Sequence, residues 1–400
     1  MPDLSLPPVR GIRLASVPAR VKDWQRDDLL LMEIDAGASV SATFTQNSFC
    51  AAPVIVAREH LSLGAVRALL INAGNANAAT GDRGLSDARA CCEAVAKALS
   101  IRAEQVLPFS TGVIGEHLPL QRLLDAIPSA AGQLSDSGWN RAAKAIMTTD
   151  TRPKTVSCTL EIGGEKITMV GIAKGSGMIQ PNMATMLAYV ATDAHIAQPL
   201  LDKMVKEAVS ASFNRVSVDG DTSTNDACVL IATGASGSRI ETCEDRGYPE
   251  LMEAITQLHI ALAKAVVKDG EGATKFVTVQ VEGAGSGAEA LRVAFEVGES
   301  PLVKTALYAS DPNWGRLVMA IGNAIPGDLD TDKVNIYLDQ VQVVEAGGRA
   351  GTYREEQGEQ VFSKPEFTIR IELGRGVCNE HIWTCDFSHE YVTINAEYRT

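Results

Sequence analysis

The stretch Gly171-Ile-Ala-Lys174-Gly-Ser-Gly-Met-Ile-Gln-Pro181-Asn-Met-Ala-Thr185-Met-Leu187 reads as two buried strands parted by a loop. The apolar run over 167–173 predicts a strand, and the run over 155–162 predicts its partner at hairpin spacing. From Lys174 to Met183 the glycines, Pro181 and Asn182 cannot continue a strand. A new apolar strand is predicted at once, over 186–191.

The same style extends in both directions. Strands are predicted over 29–34, 40–45, 54–57, 66–71 and 106–109, then a helix over 81–99 and helices near 119–131 and 139–147. The second half gives a helix over 199–213, a strand over 227–233, a long helix over 248–268, a strand over 276–281, a helix over 288–295 and several strands to the carboxyl end. Strand pairs at hairpin spacing, with helices grouped between them, predict mixed sheets covered by helices, an α/β chain of α+β character and not a regular βαβ series. No repeat of fixed period, low-complexity tract or long linker marks an internal boundary.

The 400 residues are 46% apolar and 21% charged, enough to bury a full core without staples. A net charge of −13 with no basic block argues against nucleic acid or an anionic membrane as partner, since both need a positive footprint. The eight cysteines, at 50, 91, 92, 158, 228, 243, 378 and 385, form no CxxC and no Cys/His cluster at metal spacing. Several sit in apolar runs such as Ala227-Cys228-Val229-Leu230 and are read as small core residues; the set predicts a reducing compartment and no structural metal. With no apolar run of about 18 residues and no apolar core in the first 24, the expectation is a cytoplasmic protein.

Three motifs invite other readings. Gly283-Ala-Gly-Ser-Gly-Ala288 fits GxGxxG/A, but no acidic residue clearly ends a second parallel strand about 20 residues on. It is read as a strand-to-helix turn. Asp219-Gly-Asp-Thr-Ser-Thr-Asn-Asp226 starts like a calcium loop, yet position six is Thr224 and position twelve is Leu230, so it is read as a hydrogen-bonded polar turn. The six histidines show no HxxxH or HExxH spacing and there is no Gly-x-Ser-x-Gly elbow, which argues against a Ser-His-Asp hydrolase.

That leaves a threonine where the glycine-rich loop becomes a buried strand, in Met183-Ala-Thr185-Met186. β-propensity alone accounts for a threonine opening a strand. The chemical reading is self-processing: the hydroxyl attacks the preceding carbonyl, the acyl group shifts from nitrogen to oxygen, and hydrolysis of that ester by water frees a chain beginning with threonine. Such a residue carries its own base, because an α-amine has a pKa of about 7.7 to 8.0 and lies within reach of its own Oγ.

The segment from Gly171 to Leu187 closely resembles the processing segment of the ornithine acetyltransferase (glutamate N-acetyltransferase) family of arginine biosynthesis. Similar runs span nearly the whole chain: Asn72-Ala-Gly-Asn-Ala-Asn-Ala-Ala-Thr-Gly81, Ser110-Thr-Gly-Val-Ile-Gly115, Met147-Thr-Thr-Asp-Thr-Arg-Pro-Lys154, the 218–226 loop, Asp269-Gly-Glu-Gly-Ala-Thr-Lys275, Asp311-Pro-Asn-Trp-Gly-Arg316 and the tail from Asn395 to Thr400. One departure is Val17-Pro-Ala-Arg-Val-Lys22, where the family often has a glycine before the basic residue.

The resemblance implies cleavage between Ala184 and Thr185, giving an α chain of residues 1–184 and a β chain of 185–400 that stay together. It implies Thr185 as the nucleophile of a ping-pong transfer of acetyl from N2-acetylornithine to glutamate, with Thr111 and Gly112 as oxyanion hole. Substrate-binding positions fall on Thr148, Lys174, Thr185, Glu271, Asn395 and Thr400. Lys174 suits an α-carboxylate and Glu271 the side-chain ammonium of acetylornithine. The implied fold is a layered α-β-β-α arrangement like that of self-processing amidohydrolases, assembled as a heterotetramer of two α and two β chains, with no cofactor and no metal. Two alternatives stay open: a bifunctional enzyme that also takes acetyl from acetyl-CoA, and a self-processing amidase or aminopeptidase.

Overall fold

The computed structural model describes residues 6–180 and 186–397. The chain divides into two compact units, the first holding 6–175, 186–214 and 221–266, the second 176–180, 215–220 and 267–397.

In the first unit, four strands run in the order Ile12–Val17, Leu29–Ile34, Ala68–Asn75, Val106–Val113, the last two parallel and the others antiparallel. A second sheet of five has the order Ser39–Phe44, Ala227–Ala232, Leu187–Thr192, Glu165–Lys174, Lys154–Ile162. Successive side chains of a strand point to opposite faces, and the core follows that period of two. Leu30, Met32, Leu69, Ile71 and Phe109 of the first sheet share a core with Ile172, Tyr189 and Val229 of the second. Phe109 meets Tyr189 edge to face there, ring centres 5.4 Å apart. Leu29, Leu31, Leu70 and Val106 turn the other way, onto Cys91, Cys92 and Val95 of the Gly81–Leu99 helix and Leu123 and Ile127 of the Leu120–Gly132 helix. On the far side of the five-stranded sheet, Gly171 lies under Leu258 and Leu262 of the Tyr248–Lys268 helix. The layers of this unit are therefore α-β-β-α, as the resemblance implies.

The second unit is one six-stranded mixed sheet with helices. Phe276–Ala284 lies between Glu366–Glu372, parallel to it, and Cys378–Cys385, antiparallel. Val277, Val279 and Val281 pack with Val293 and Val297 of the Gly287–Glu299 helix and with Leu317 and Ile321 of the Trp314–Ala324 helix. The Gly283–Ala288 motif is the turn between strand and helix, where Ser286 caps the helix by accepting from the Glu289 N–H at 3.1 Å.

Two expectations fail. Residues 54–57 are no strand but part of the Ala52–Ser62 helix. Pro53 supplies a ready-made first turn, and the buried set Ala52, Val56, Ala57 and His60 follows a helical face. The carboxyl-terminal region is not strands alone: it also holds the helices Pro301–Ala309, Trp314–Ala324, Glu355–Phe362 and His389–Ala396. Among the described residues no helix is long and apolar enough to cross a membrane.

Candidate active site

Ala184, Thr185 and Thr400, the expected cleavage point, nucleophile and terminal substrate residue, lie outside the described residues. Of the remaining predicted site residues, Thr111, Gly112, Thr148 and Lys174 lie in the first unit and Glu271 and Asn395 in the second.

In the first unit, Thr111 and Gly112 close the Val106–Val113 strand, with Thr111 buried. Gly112 has φ +134°, and a Cβ there would stand 2.3 Å from the Gly74 carbonyl carbon. Only glycine lets these two backbones approach so closely in this conformation. The strand end is tied down by Asn225, whose Nδ2 donates to the Ser110 carbonyl at 2.9 Å and to the Ala76 carbonyl at 2.6 Å. The next residue, Asp226, accepts the N–H of Met186 at 3.0 Å. Two consecutive side chains of the polar loop thus hold both the oxyanion candidate's strand and the residue that follows Thr185 in the chain.

Lys174 ends its strand buried at 4% exposure. Asp150 accepts the Thr148 N–H at 2.9 Å, the Gly175 N–H at 2.7 Å and the Lys154 ammonium. Burial would raise the Asp150 pKa, but the ammonium groups of Lys174 and Lys154 and the Gly175 N–H hold it down at about 2. A fully buried carboxylate therefore joins the backbone of Thr148 to the end of the strand that carries Lys174.

In the second unit, Glu271 is buried at 7% exposure and its Oε2 accepts from Asn395 Nδ2 at 2.7 Å. Asn395 rides on the His389–Ala396 helix, whose first turn is capped by Ser388 accepting from the Tyr391 N–H. The Glu271 N–H donates to the Ser176 carbonyl at 2.8 Å, and a Cβ on Gly177 would meet the Glu271 carboxylate carbon at 2.4 Å. Asp219 accepts the N–H groups of Met178 and Ile179 at 2.6 and 2.8 Å. The backbone over 176–179, shortly before Ala184, is thereby anchored within this unit.

Of the expected residues, Thr148 is joined to the end of the Lys174 strand through Asp150, and Glu271 is bonded to Asn395. The sequence reading missed Asp150, Lys154, Asp219, Asn225 and Asp226 as supports, although all five lie in motifs it quoted. Among the described residues no group of three or more His, Cys, Asp or Glu side chains is placed to hold a metal. A cleft of about 640 Å³ lined by Val40, Phe44, Arg58, Leu61 and Gln198 contains none of the predicted site residues.

The first unit is thus an α-β-β-α sandwich with buried polar side chains at the ends of its strands. The model of the ArgJ family matches residues 13–400, and the chain belongs to that family, the ornithine acetyltransferases of arginine biosynthesis. It is 54% identical over 398 residues to the arginine biosynthesis bifunctional protein ArgJ of Methylococcus capsulatus, covering 100% of this chain and 97% of that one. It is 50% identical over 413 residues to the protein of the same name from Colwellia psychrerythraea, covering 99% and 97%. Among solved structures, the ornithine acetyltransferase of Mycobacterium tuberculosis complexed with ornithine is similar, at 36% identity and a TM-score of 0.37 over 43% of this chain and 92% of that one.

Proposed function

We propose that the protein cuts itself between Ala184 and Thr185 and then moves an acetyl group from N2-acetyl-L-ornithine to L-glutamate through acetyl-Thr185. In the first half-reaction the Thr185 Oγ attacks the acetyl carbonyl while its own α-amine takes the hydroxyl proton. The tetrahedral oxyanion is met by the Thr111 hydroxyl and the Gly112 N–H. The C–N bond then breaks, the proton passes to the departing nitrogen, and ornithine leaves. Glutamate's amine attacks the resulting ester in the second half-reaction, giving N-acetylglutamate and restoring the hydroxyl. No metal or cofactor enters the cycle.

Lys174 pairs with the substrate α-carboxylate and Glu271 with the side-chain ammonium of acetylornithine, while Thr148, Asn395 and Thr400 complete the substrate contacts. The working particle is a cytoplasmic heterotetramer of two 1–184 and two 185–400 chains. The observation that carries this reading is the grip of Asn225 and Asp226: adjacent residues hold the Ser110 carbonyl, next to Thr111, and the Met186 N–H, next to Thr185. Acyl transfer needs nucleophile and oxyanion donors in fixed relation, and losing one donor costs on the order of 100-fold or more in rate.

The test is transfer of acetyl from acetylornithine to glutamate by the purified protein, with parallel initial-rate lines expected for the two substrates. Intersecting lines would argue for direct transfer in a ternary complex. The word "bifunctional" in the relatives' name supports a second donor, acetyl-CoA, acting on the same hydroxyl. Release of free CoA thiol in the presence of glutamate tests that extension.

A further inference from the structure

Asp226 ends the polar loop and takes part in no bond-making or proton-transfer step of the reaction just described; what its carboxyl must be in order to hold Met186 is left open by that reading. Its side chain is 1% exposed. Its Oδ1 accepts the Met186 N–H at 3.0 Å, and the Ala227 N–H donates to the Met186 carbonyl at 3.1 Å. Both backbone polar groups of Met186 are therefore held by two consecutive residues. Beyond them the strands continue in parallel register, with Ala227 beside Leu187. The Asp226 backbone is fixed in turn, its carbonyl accepting the Thr45 N–H at 2.9 Å.

The Asp226 Oδ2, by contrast, is buried with no hydrogen-bond partner among the described residues. An ionised carboxylate so enclosed would set the Met186 N–H, the Ser223 hydroxyl and the attraction of Lys174 against the loss of its hydration, a cost of several kcal/mol that the neutral acid mostly avoids. Burial accordingly pushes the carboxyl well above the usual range, against the pull of the Met186 N–H, Lys174 and the Ser223 hydroxyl.

We infer that Asp226 is a positioning residue that works as a neutral carboxylic acid, fixing through Oδ1 the peptide N–H directly after Thr185. That peptide is the covalent base from which the Thr185 hydroxyl acts, in self-cleavage and in acetyl transfer alike. The inference rests on the reading of Thr185 as nucleophile. It assigns the need to an acceptor oxygen in a fixed place and not to a negative charge.

The test uses the full chain with Asp226→Ala and Asp226→Asn, following cleavage by denaturing mass measurement and kinetics on the cleaved fraction. Misplacing a reacting group by about 1 Å costs roughly 100-fold, so Asp226→Ala is expected to slow cleavage and lower kcat by at least about 10-fold with KM within about 3-fold. Asp226→Asn keeps the acceptor and carries N–H groups where the acid carries its proton, so it is expected to restore both rates to within about 10-fold of the parent. An alanine variant that cuts and turns over like the parent overturns the inference. So does a folded asparagine variant that has lost more than this, because charge is then required. If Asp226→Ala does not fold, the asparagine variant alone decides between these outcomes. A parent protein that is never cut at Thr185 overturns the underlying reading, and that result is visible before any variant is made.

Discussion

Asp150→Asn removes one charge from the middle of a buried network, and its effect can be worked out from the geometry. The carboxylate is fully buried, as is the Lys154 ammonium it accepts from, and it also holds the N–H groups of Thr148 and Gly175. The fall of its pKa from 3.8 to about 2 corresponds to about 2 kcal/mol of stabilisation by ionisation. Because the folded-state value lies below the unfolded one, that contribution is complete above about pH 4 and fades as pH falls through 3.8 towards 2. The amide goes further at pH 7, since it leaves buried lysine charge without its carboxylate, and breaking a buried pair in this way costs about 3 to 5 kcal/mol. For a unit of about 250 residues, 1 kcal/mol moves the midpoint by about 2 to 4 °C, so a loss of about 6 to 20 °C is expected. The assay is thermal unfolding of parent and variant at pH 7 and at pH 3, where the gap should narrow because the unfolded parent chain then binds a proton on this carboxyl while the folded protein, with its value at about 2, still largely does not. Adding Lys154→Met should return most of the loss, as replacing both partners of a buried pair often does. A variant melting within about 2 °C of the parent at pH 7 would refute the reasoning, since a cost of that size cannot hide in so small a shift.

Three further outcomes are expected. Gly112→Ala should lower stability by about 1 to 3 kcal/mol through its positive φ and its clash with Gly74, and transfer by about 100-fold or more, measured by melting and by initial rates. Glu271→Gln should lower kcat/KM for acetylornithine by about 10- to 150-fold more than for acetylglutamate, because only the former has a side-chain ammonium; equal losses would mean that Glu271 shapes the fold instead. Burial pushes the Cys91 thiol up to about 12, so at pH 8 an alkylating reagent should mark the exposed Cys243 and leave Cys91 untouched until the protein unfolds, as peptide mapping would show.

The fold was legible where a local pattern and its tertiary setting agree. The apolar strands over 29–34 and 227–233 follow from their composition, and the observed strands Leu29–Ile34 and Ala227–Ala232 match them closely. At Val54-Ile-Val56 the β-branched residues favour a strand, but Pro53 and the placement of Ala52, Ala57 and His60 on one face turn the segment into a helix. The helices near the carboxyl end carried readable signals that composition obscured: Ser300 caps the one opened by Pro301, and Asn313 the one opened by Trp314. For the site, Thr111, Thr148, Lys174, Glu271 and Asn395 were named only through the family resemblance of their motifs; taken alone, Thr111 reads as part of a turn and Lys174 and Glu271 as loop charges. The supports did not emerge because they act across the chain: Asn225 reaches Ser110 from 115 positions away, and Asp226 reaches Met186 from 40. Such contacts are set by which strands become neighbours, which spacing along the sequence does not encode.

The central claim is that Thr185 begins a chain and carries the acetyl group. A denaturing mass measurement with amino-terminal sequencing, made after incubating the protein with N2-acetylornithine and no glutamate, tests both parts in one sample. Two chains are expected, 1–184 and 185–400, the second starting at Thr185 with one added acetyl group on that residue, and Thr185→Ala should give one uncut, unacetylated chain. A parent protein that remains a single 400-residue chain, or an acetyl group found on any other residue, would contradict the account.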